Sequence, residues 1–237
     1  MSDTDWLDPL TANLADPHAT EAVVRARPGK GGRAAAVLIL IGGTSIADGT
    51  VLFVERAHTM RNHPGQLAFP GGSVDPGDAD LAAAALREGN EETGLDPSGV
   101  EVLGVVPAAH VAVSGYDVSG VVGWWRSVSP VGVNDPREVA QVVIAPLSRL
   151  LDPEHRVTVR HRSGYHGPGF WITGRSANGE AEELLVWGLT AHLLEGVFGL
   201  AGWDEPWDRA REIDVPQRFL RDAAAARART SDARDLH

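Results

Sequence analysis

The chain contains no cysteine among its 237 residues, which excludes a disulfide framework, thiolate metal ligation and cysteine nucleophile chemistry. Long apolar runs are missing as well. The longest strong one, Ala34 to Ile41, is strand-sized and too short to span a bilayer. No internal repeat is evident. Positive charge is scarce: 21 Lys and Arg face 32 Asp and Glu, for a formal net charge of −11. That balance argues against broad binding to nucleic acid or anionic membranes, and no helix-turn-helix or basic patch stands out. The first ten residues, MSDTDWLDPL, are acidic and unlike a secretory signal, so a cytoplasmic protein is expected.

What remains is an ordinary globular composition, 43% hydrophobic and 22% charged, in a chain long enough to bury a substantial core. Residues 1–32 are polar, contain Pro and Gly, and read as a short helix or arm followed by a loop. Residues 33–220 read as one domain. Arg33 to Ile41 is a continuous apolar run expected to form a central strand buried on both faces. Further strands are expected at Val51–Arg56, Glu101–Val106, Gly120–Trp125, Gln141–Ile144, Arg156–Arg162 and Gly169–Thr173. Asn178-Gly179 signals a hairpin turn. Val186 to Phe198 carries apolar residues at helical spacing and predicts a core-facing helix. Trp124, Trp125 and Trp187 are core candidates. Residues 221–237 lack an apolar stripe and read as a frayed or disordered tail. Strands separated by two main helices predict an α/β (α+β) fold, a mixed sheet sandwiched between helices.

The chemistry concentrates in Phe69 to Leu95, FPGGSVDPGDADLAAAALREGNEETGL. A glycine turn and an acidic loop lead into an alanine-rich helix that ends in Arg87, Glu88, Glu91, Glu92 and Gly94. Glu88, Glu91 and Glu92 stand at i, i+3 and i+4 and so share one helix face. Like charges at that spacing oppose each other, and Gly89 weakens the helix further. A divalent cation removes the conflict, because hard oxygen ligands on one face suit Mg²⁺ or Mn²⁺.

This segment resembles the Nudix box, the signature of hydrolases that split nucleoside diphosphates linked to another group. The match runs from Gly72 through five residues to the acid Asp78, then through eight to Arg87-Glu88, Glu91-Glu92, Gly94 and Leu95. Two departures stand out: the interval from the acid to Arg87 is one residue longer than usual, and Gly89 replaces an aliphatic residue. The resemblance implies the Nudix fold and a small nucleotide substrate. It also implies metal ions held by Glu88, Glu92 and Glu91, with a backbone carbonyl of Gly71 or Gly72 adding a ligand because glycine lets the backbone come close. The general base is then Glu92, Glu91 or the later Glu138. Arg87 is assigned to orienting Glu91 through an i, i+4 pair.

Upstream, Leu52 to Ala57 is followed by Arg61, His63, Gly65, Gln66 and Phe69-Pro70-Gly71-Gly72. This looks like the coenzyme A pyrophosphatase branch of Nudix hydrolases, with Arg56, Ala57, Arg61, Gly65 and the Phe-Pro-Gly-Gly turn matching. Phe53-Val54 departs from the usual Leu-Thr, and Gly120 replaces a common Pro. Ser114-Gly115-Tyr116, Glu138-Val139, Pro146-Leu147 and Val186 to Ala191 are also similar, so the resemblance covers roughly residues 33–195. Arg56 and Arg61 would supply guanidinium groups for phosphate, and His63 a donor to phosphate or an orienting contact to a carboxylate. Tyr116 reads as a packing residue. The resemblance implies hydrolysis of coenzyme A or its thioesters and a homodimer. The alternatives are a pyrophosphatase for ADP-ribose or another nucleoside diphosphate derivative, and a non-catalytic, nucleotide-binding Nudix-like regulator.

Overall fold

The β-branched and leucine-rich run that opens the domain becomes β1 (Arg33–Gly42), the spine of the larger of two sheets. The computed structural model describes residues 4–60, 63–112, 114–162, 164–175, 179–216 and 219. Before β1 lie α1 (Asp8–Leu14) and α2 (Pro17–Val24). After it come β2 (Thr50–Arg56), β3 (Leu67–Ala68), β4 (Gly71–Ser73), α3 (Leu81–Thr93), β5 (Val100–Val111) and β6 (Tyr116–Trp125). The chain continues through β7 (Val139–Pro146), α4 (Leu147–Leu151), β8 (Arg156–Arg160), β9 (His166–Arg175), β10 (Ala181–Val186), α5 (Gly188–Ala201) and β11 (Glu212–Asp214).

Seven strands form the first sheet, in the order β3-β2-β1-β6-β5, with β4 also on β1 and β7 also on β2. β1 and β6 run parallel, in register from Arg33 opposite Tyr116 to Ile41 opposite Trp124. The other pairings are antiparallel, so the sheet is mixed. β1 is apolar on both faces because both are covered. Ala36, Leu38 and Leu40 meet Ala84, Ala85 and Leu95 on the α3 side. Ile39 and Ile41 join a larger core on the other side with Phe53, Val122, Leu193, Val197 and Phe198. Helices therefore cover the sheet on both faces.

Two features exceed the sequence reading. Residues 5–24, read as an arm or short helix, insert Leu7, Leu10, Leu14 and Val24 into the main core. A second, four-stranded sheet, β10-β9-β8-β11, adds Phe170, Ile172, Leu184 and Val186 to the same core. Val186, expected to start a helix, instead ends β10, and Trp187 caps α5. Trp124 and Trp125 are buried, whereas Trp187 is only half-buried. Asn178 and residues 221–237 lie outside the described residues. Among the described residues no helix is long and apolar enough to cross a membrane.

Candidate active site

The glycine turn and the glutamate helix are adjacent because β4 and α3 both pack on β1. α3 starts where the Asp80 side chain accepts the Ala83 N–H at 2.8 Å, an N-cap that holds an otherwise orphan donor. It stops at Gly94, whose φ of 72° is the left-handed C-cap that favours glycine. Between them Gly89 is buried, and a Cβ there would approach Leu38 Cδ2 to 3.1 Å. The glycine that weakens the helix lets it lie close on β1.

That close approach places carboxylates against the turn. The buried Glu92 accepts the Gly71 N–H at 3.1 Å through Oε2. A Cβ at Gly72 would sit 2.6 Å from the Glu88 carboxyl carbon, and one at Gly71 would sit 2.6 Å from Val37 Cα. At Gly71 the backbone of β1 leaves room only for glycine, whereas at Gly72 a side chain would displace the Glu88 carboxylate. Burial pushes the Glu92 carboxyl up to about 8, with repulsion from Glu88 and Glu138 adding to it; the Gly71 N–H and Arg56 pull the other way. Glu88 is raised in the same direction, first by burial, then by Glu91 and Glu138, against the Arg87 guanidinium. Arg56, Glu88, Glu92 and Glu138 thus share one electrostatic neighbourhood although they come from β2, α3 and the loop before β7.

Arg87 makes the expected i, i+4 pair with Glu91, but other contacts hold it more firmly. Its fork grips Asp78 through Nε and Nη2, both at 3.0 Å, and Nη2 also donates to the Ser73 carbonyl at 3.1 Å. Nη1 reaches Glu88 at 2.9 Å and the exposed Glu91 at 3.2 Å. Asp78 is therefore its anchor, and Glu91 is a secondary contact. The guanidinium holds the Asp78 carboxyl below the usual carboxylate range. The longer interval between Asp78 and Arg87 leaves this clamp intact. Asp78 is the site residue whose partner the sequence left undetermined; its place in the motif was the available signal.

A second support was not legible. The loop before β7 straps the C-terminal end of α3: Asn134 N donates to the Glu92 carbonyl at 3.0 Å, and Asn134 Nδ2 to the Glu91 carbonyl at 3.0 Å. Gly132 N caps the Thr93 carbonyl at 3.0 Å. These contacts satisfy carbonyls that a helix end leaves open and bring Glu138 toward the glutamates. Glu138 itself is exposed, and its carboxylate makes no hydrogen bond or ion pair among the described residues.

Arg56 ends β2 half-buried, with its Nε–H buried and unpartnered among the described residues. Beside it, His63 has a left-handed φ of 56°, and its Nδ1 lies 3.0 Å from the Gln66 side-chain oxygen, which can only accept. Burial, with Arg56 adding to it, depresses the His63 imidazole pKa, so the ring is neutral near pH 7. Arg61 lies outside the described residues.

Among the described residues no three His, Asp or Glu side chains gather tightly enough to form a ready-made metal cage. Arg87 draws Glu88 and Glu91 aside, and the Gly71 N–H holds Glu92. The donor set nevertheless fits a hard dication. Two neighbouring carboxylates are both penalised as anions, and a cation placed near them would lift the penalty.

A NUDIX domain model matches residues 32–166. The uncharacterized Nudix hydrolase NudL of Enterobacter sp. (strain 638) is 38% identical over 149 residues, covering 61% of this chain and 71% of that protein. The NUDIX domain of Shewanella oneidensis NrtR, solved with ADP ribose, is 25% identical with a TM-score of 0.39, covering 62% of this chain and 85% of that one. A MutT/nudix family protein from Enterococcus faecalis is 14% identical with a TM-score of 0.46, covering 80% and 70%. With the glutamate helix, its glycine turn and its arginine clamp assembled, the chain belongs to the Nudix family and is a Nudix pyrophosphohydrolase.

Proposed function

We propose that this enzyme hydrolyses the diphosphate of coenzyme A or its thioesters, releasing 3′-phospho-ADP and 4′-phosphopantetheine or its acylated form. The observation that carries the hydrolytic reading is the α3 face, where Glu88 and the buried Glu92 meet the Gly71-Gly72 turn. The coenzyme A assignment rests on the likeness of residues 56–72 to that branch and on Arg56, whose buried Nε–H lacks a partner.

Mg²⁺ or Mn²⁺ held by Glu88, Glu92 and Glu91, with a Gly71 or Gly72 carbonyl, would supply Lewis acidity and neutralise the diphosphate. The chain's own residues do the positioning. Arg87, locked on Asp78, fixes Glu88 and Glu91. Arg56 offers a guanidinium beside Glu92 for a phosphate oxygen. Water adds to phosphorus, the bridging oxygen leaves, and the water proton passes to a carboxylate. Glu138 is favoured as that base over Glu91 and Glu92, because those two are engaged by Arg87 and the Gly71 N–H while Glu138 is not. No covalent enzyme intermediate is required.

The test is a product-release screen with Mg²⁺ and Mn²⁺ across coenzyme A, ADP-ribose, NADH and diadenosine polyphosphates. A kcat/KM for coenzyme A at least about tenfold above that for ADP-ribose, equivalent to about 1.4 kcal/mol, is expected. ADP-ribose or another nucleoside diphosphate sugar winning would replace the assignment. Tight nucleotide binding with no turnover would point to a regulator, a reading that the full carboxylate set opposes.

A further inference from the structure

Cations concentrate in the stretch that leads into β1. Residues 25–33 read RARPGKGGR, four cations and no acid within nine residues of a chain that carries −11 overall. The fold pins this stretch by its backbone. Gly29 N donates to the Ala108 carbonyl at 2.9 Å, Lys30 N and Gly32 N donate to Asp117 Oδ2 at 2.8 Å each, and Arg33 N donates to the Gly115 carbonyl at 3.2 Å. His110 Nδ1 takes the other Asp117 oxygen at 2.7 Å. The one carboxylate beneath the loop is thus spent on backbone N–H groups and a histidine. The side chains of Lys30 and Arg33 are exposed and form no ion pair among the described residues.

Arg33 is also held in place. Its guanidinium stacks 4.2 Å over the Tyr116 ring, directly across the β1–β6 ladder. Stacking uses the guanidinium face and leaves its N–H edge open, the geometry that grips a phosphate bidentately. The Tyr116 hydroxyl lies 3.0 Å from Ser73 Oγ. Ser73 follows Gly72, and its carbonyl accepts from Arg87, which holds Glu88. Tyr116, read from the sequence as packing, therefore ties an unpaired arginine to the catalytic turn.

We infer that Arg33 and Lys30 form a subsite for a phosphate monoester of the substrate, remote from the scissile diphosphate. An exposed, unpaired pair of cations at this position supplies local positive potential in a chain of net charge −11. Resting on the coenzyme A reading, the ligand group is the 3′-phosphate.

The experiment compares kcat/KM for coenzyme A and dephospho-coenzyme A in the wild type, Arg33→Ala, Lys30→Ala and the double variant. The wild type is expected to prefer coenzyme A by about tenfold or more, each single substitution to shrink that preference several-fold, and the double variant to bring it close to one. Lys30→Ala guards against misfolding, because the Lys30 backbone makes the structural contact and the exposed side chain does not. Preference retained in the double variant, both substrates falling in parallel, or a wild type that treats the two alike would each overturn the subsite while leaving coenzyme A hydrolysis standing. A wild type that hydrolyses neither compound overturns the coenzyme A reading itself, and the subsite with it.

Discussion

Replacing Glu92 with Gln should separate stability from activity, because the structure makes Glu92 costly when ionised. Its side chain is buried, and its pKa stands near 8 against an ordinary 4.5. Between those values the folded chain binds a proton that the unfolded chain releases. In metal-free protein, stability must therefore fall as pH rises through that window. At about 1.4 kcal/mol per pH unit, the loss from pH 6 to pH 9 comes to roughly 3 kcal/mol as a ceiling. For a domain of about this size that corresponds to a melting temperature lower by roughly 6 to 12 °C. The Glu92→Gln amide has no charge to bury, and its oxygen can still accept the Gly71 N–H, so this contribution disappears. In EDTA the variant should match the wild type only at about pH 4.5 and below, and melt progressively further above it as pH rises through 6 to 9. Added Mg²⁺ should raise the wild type more than the variant, while turnover in the variant falls by about a hundredfold or more. The assay is thermal melting at three pH values with and without metal, alongside kcat/KM. Parallel melting profiles in EDTA would refute the burial argument, and near-normal turnover at saturating Mg²⁺ would remove Glu92 from the metal site.

The other predictions test separate parts of the fold. Arg87→Lys keeps the charge but loses the fork on Asp78, so kcat should drop about tenfold or more with KM little moved; an equal loss confined to KM would place Arg87 on the substrate instead. The fully buried Arg156 on β8 pairs with Glu195 at 2.7 Å and with Asp204, and stacks on Phe170. Arg156→Ala takes away the Asp204 partner, leaves Glu195 with Arg209 alone and opens a buried cavity; it should cost about 3 kcal/mol by denaturant titration, and a loss under about 1 kcal/mol would deny it that role. Asp117 has a depressed pKa, held down by His110 and the loop N–H groups. The stability it supplies is present above its unfolded pKa and fades as pH falls through the folded value. The melting gap between wild type and Asp117→Asn should accordingly close in acid, and a gap that widens there would reverse the sign.

The glutamate helix face was legible because its signal is local. Glu88, Glu91 and Glu92 share a helix face by spacing alone, and the helix ends at Gly94 as the sequence reading had it. Alternation and apolar runs located β1, β2 and β6 for the same reason, since period and length act within a few residues. What the sequence could not decide were contacts between distant segments. The bidentate clamp of Arg87 on Asp78, the Asn134 strap over α3 and the approach of Glu138 to Glu92 all depend on loop paths that no spacing rule predicts. The docking of residues 5–24 and the second sheet were missed similarly, because short amphipathic pieces reveal their partners only once the core exists. Charge behaved alike: RARPGKGGR was visible in the chain, but β1–β6 pairing set Arg33 on Tyr116, and burial under the glycine turn turned Glu92 from an ordinary carboxylate into one that resists ionisation.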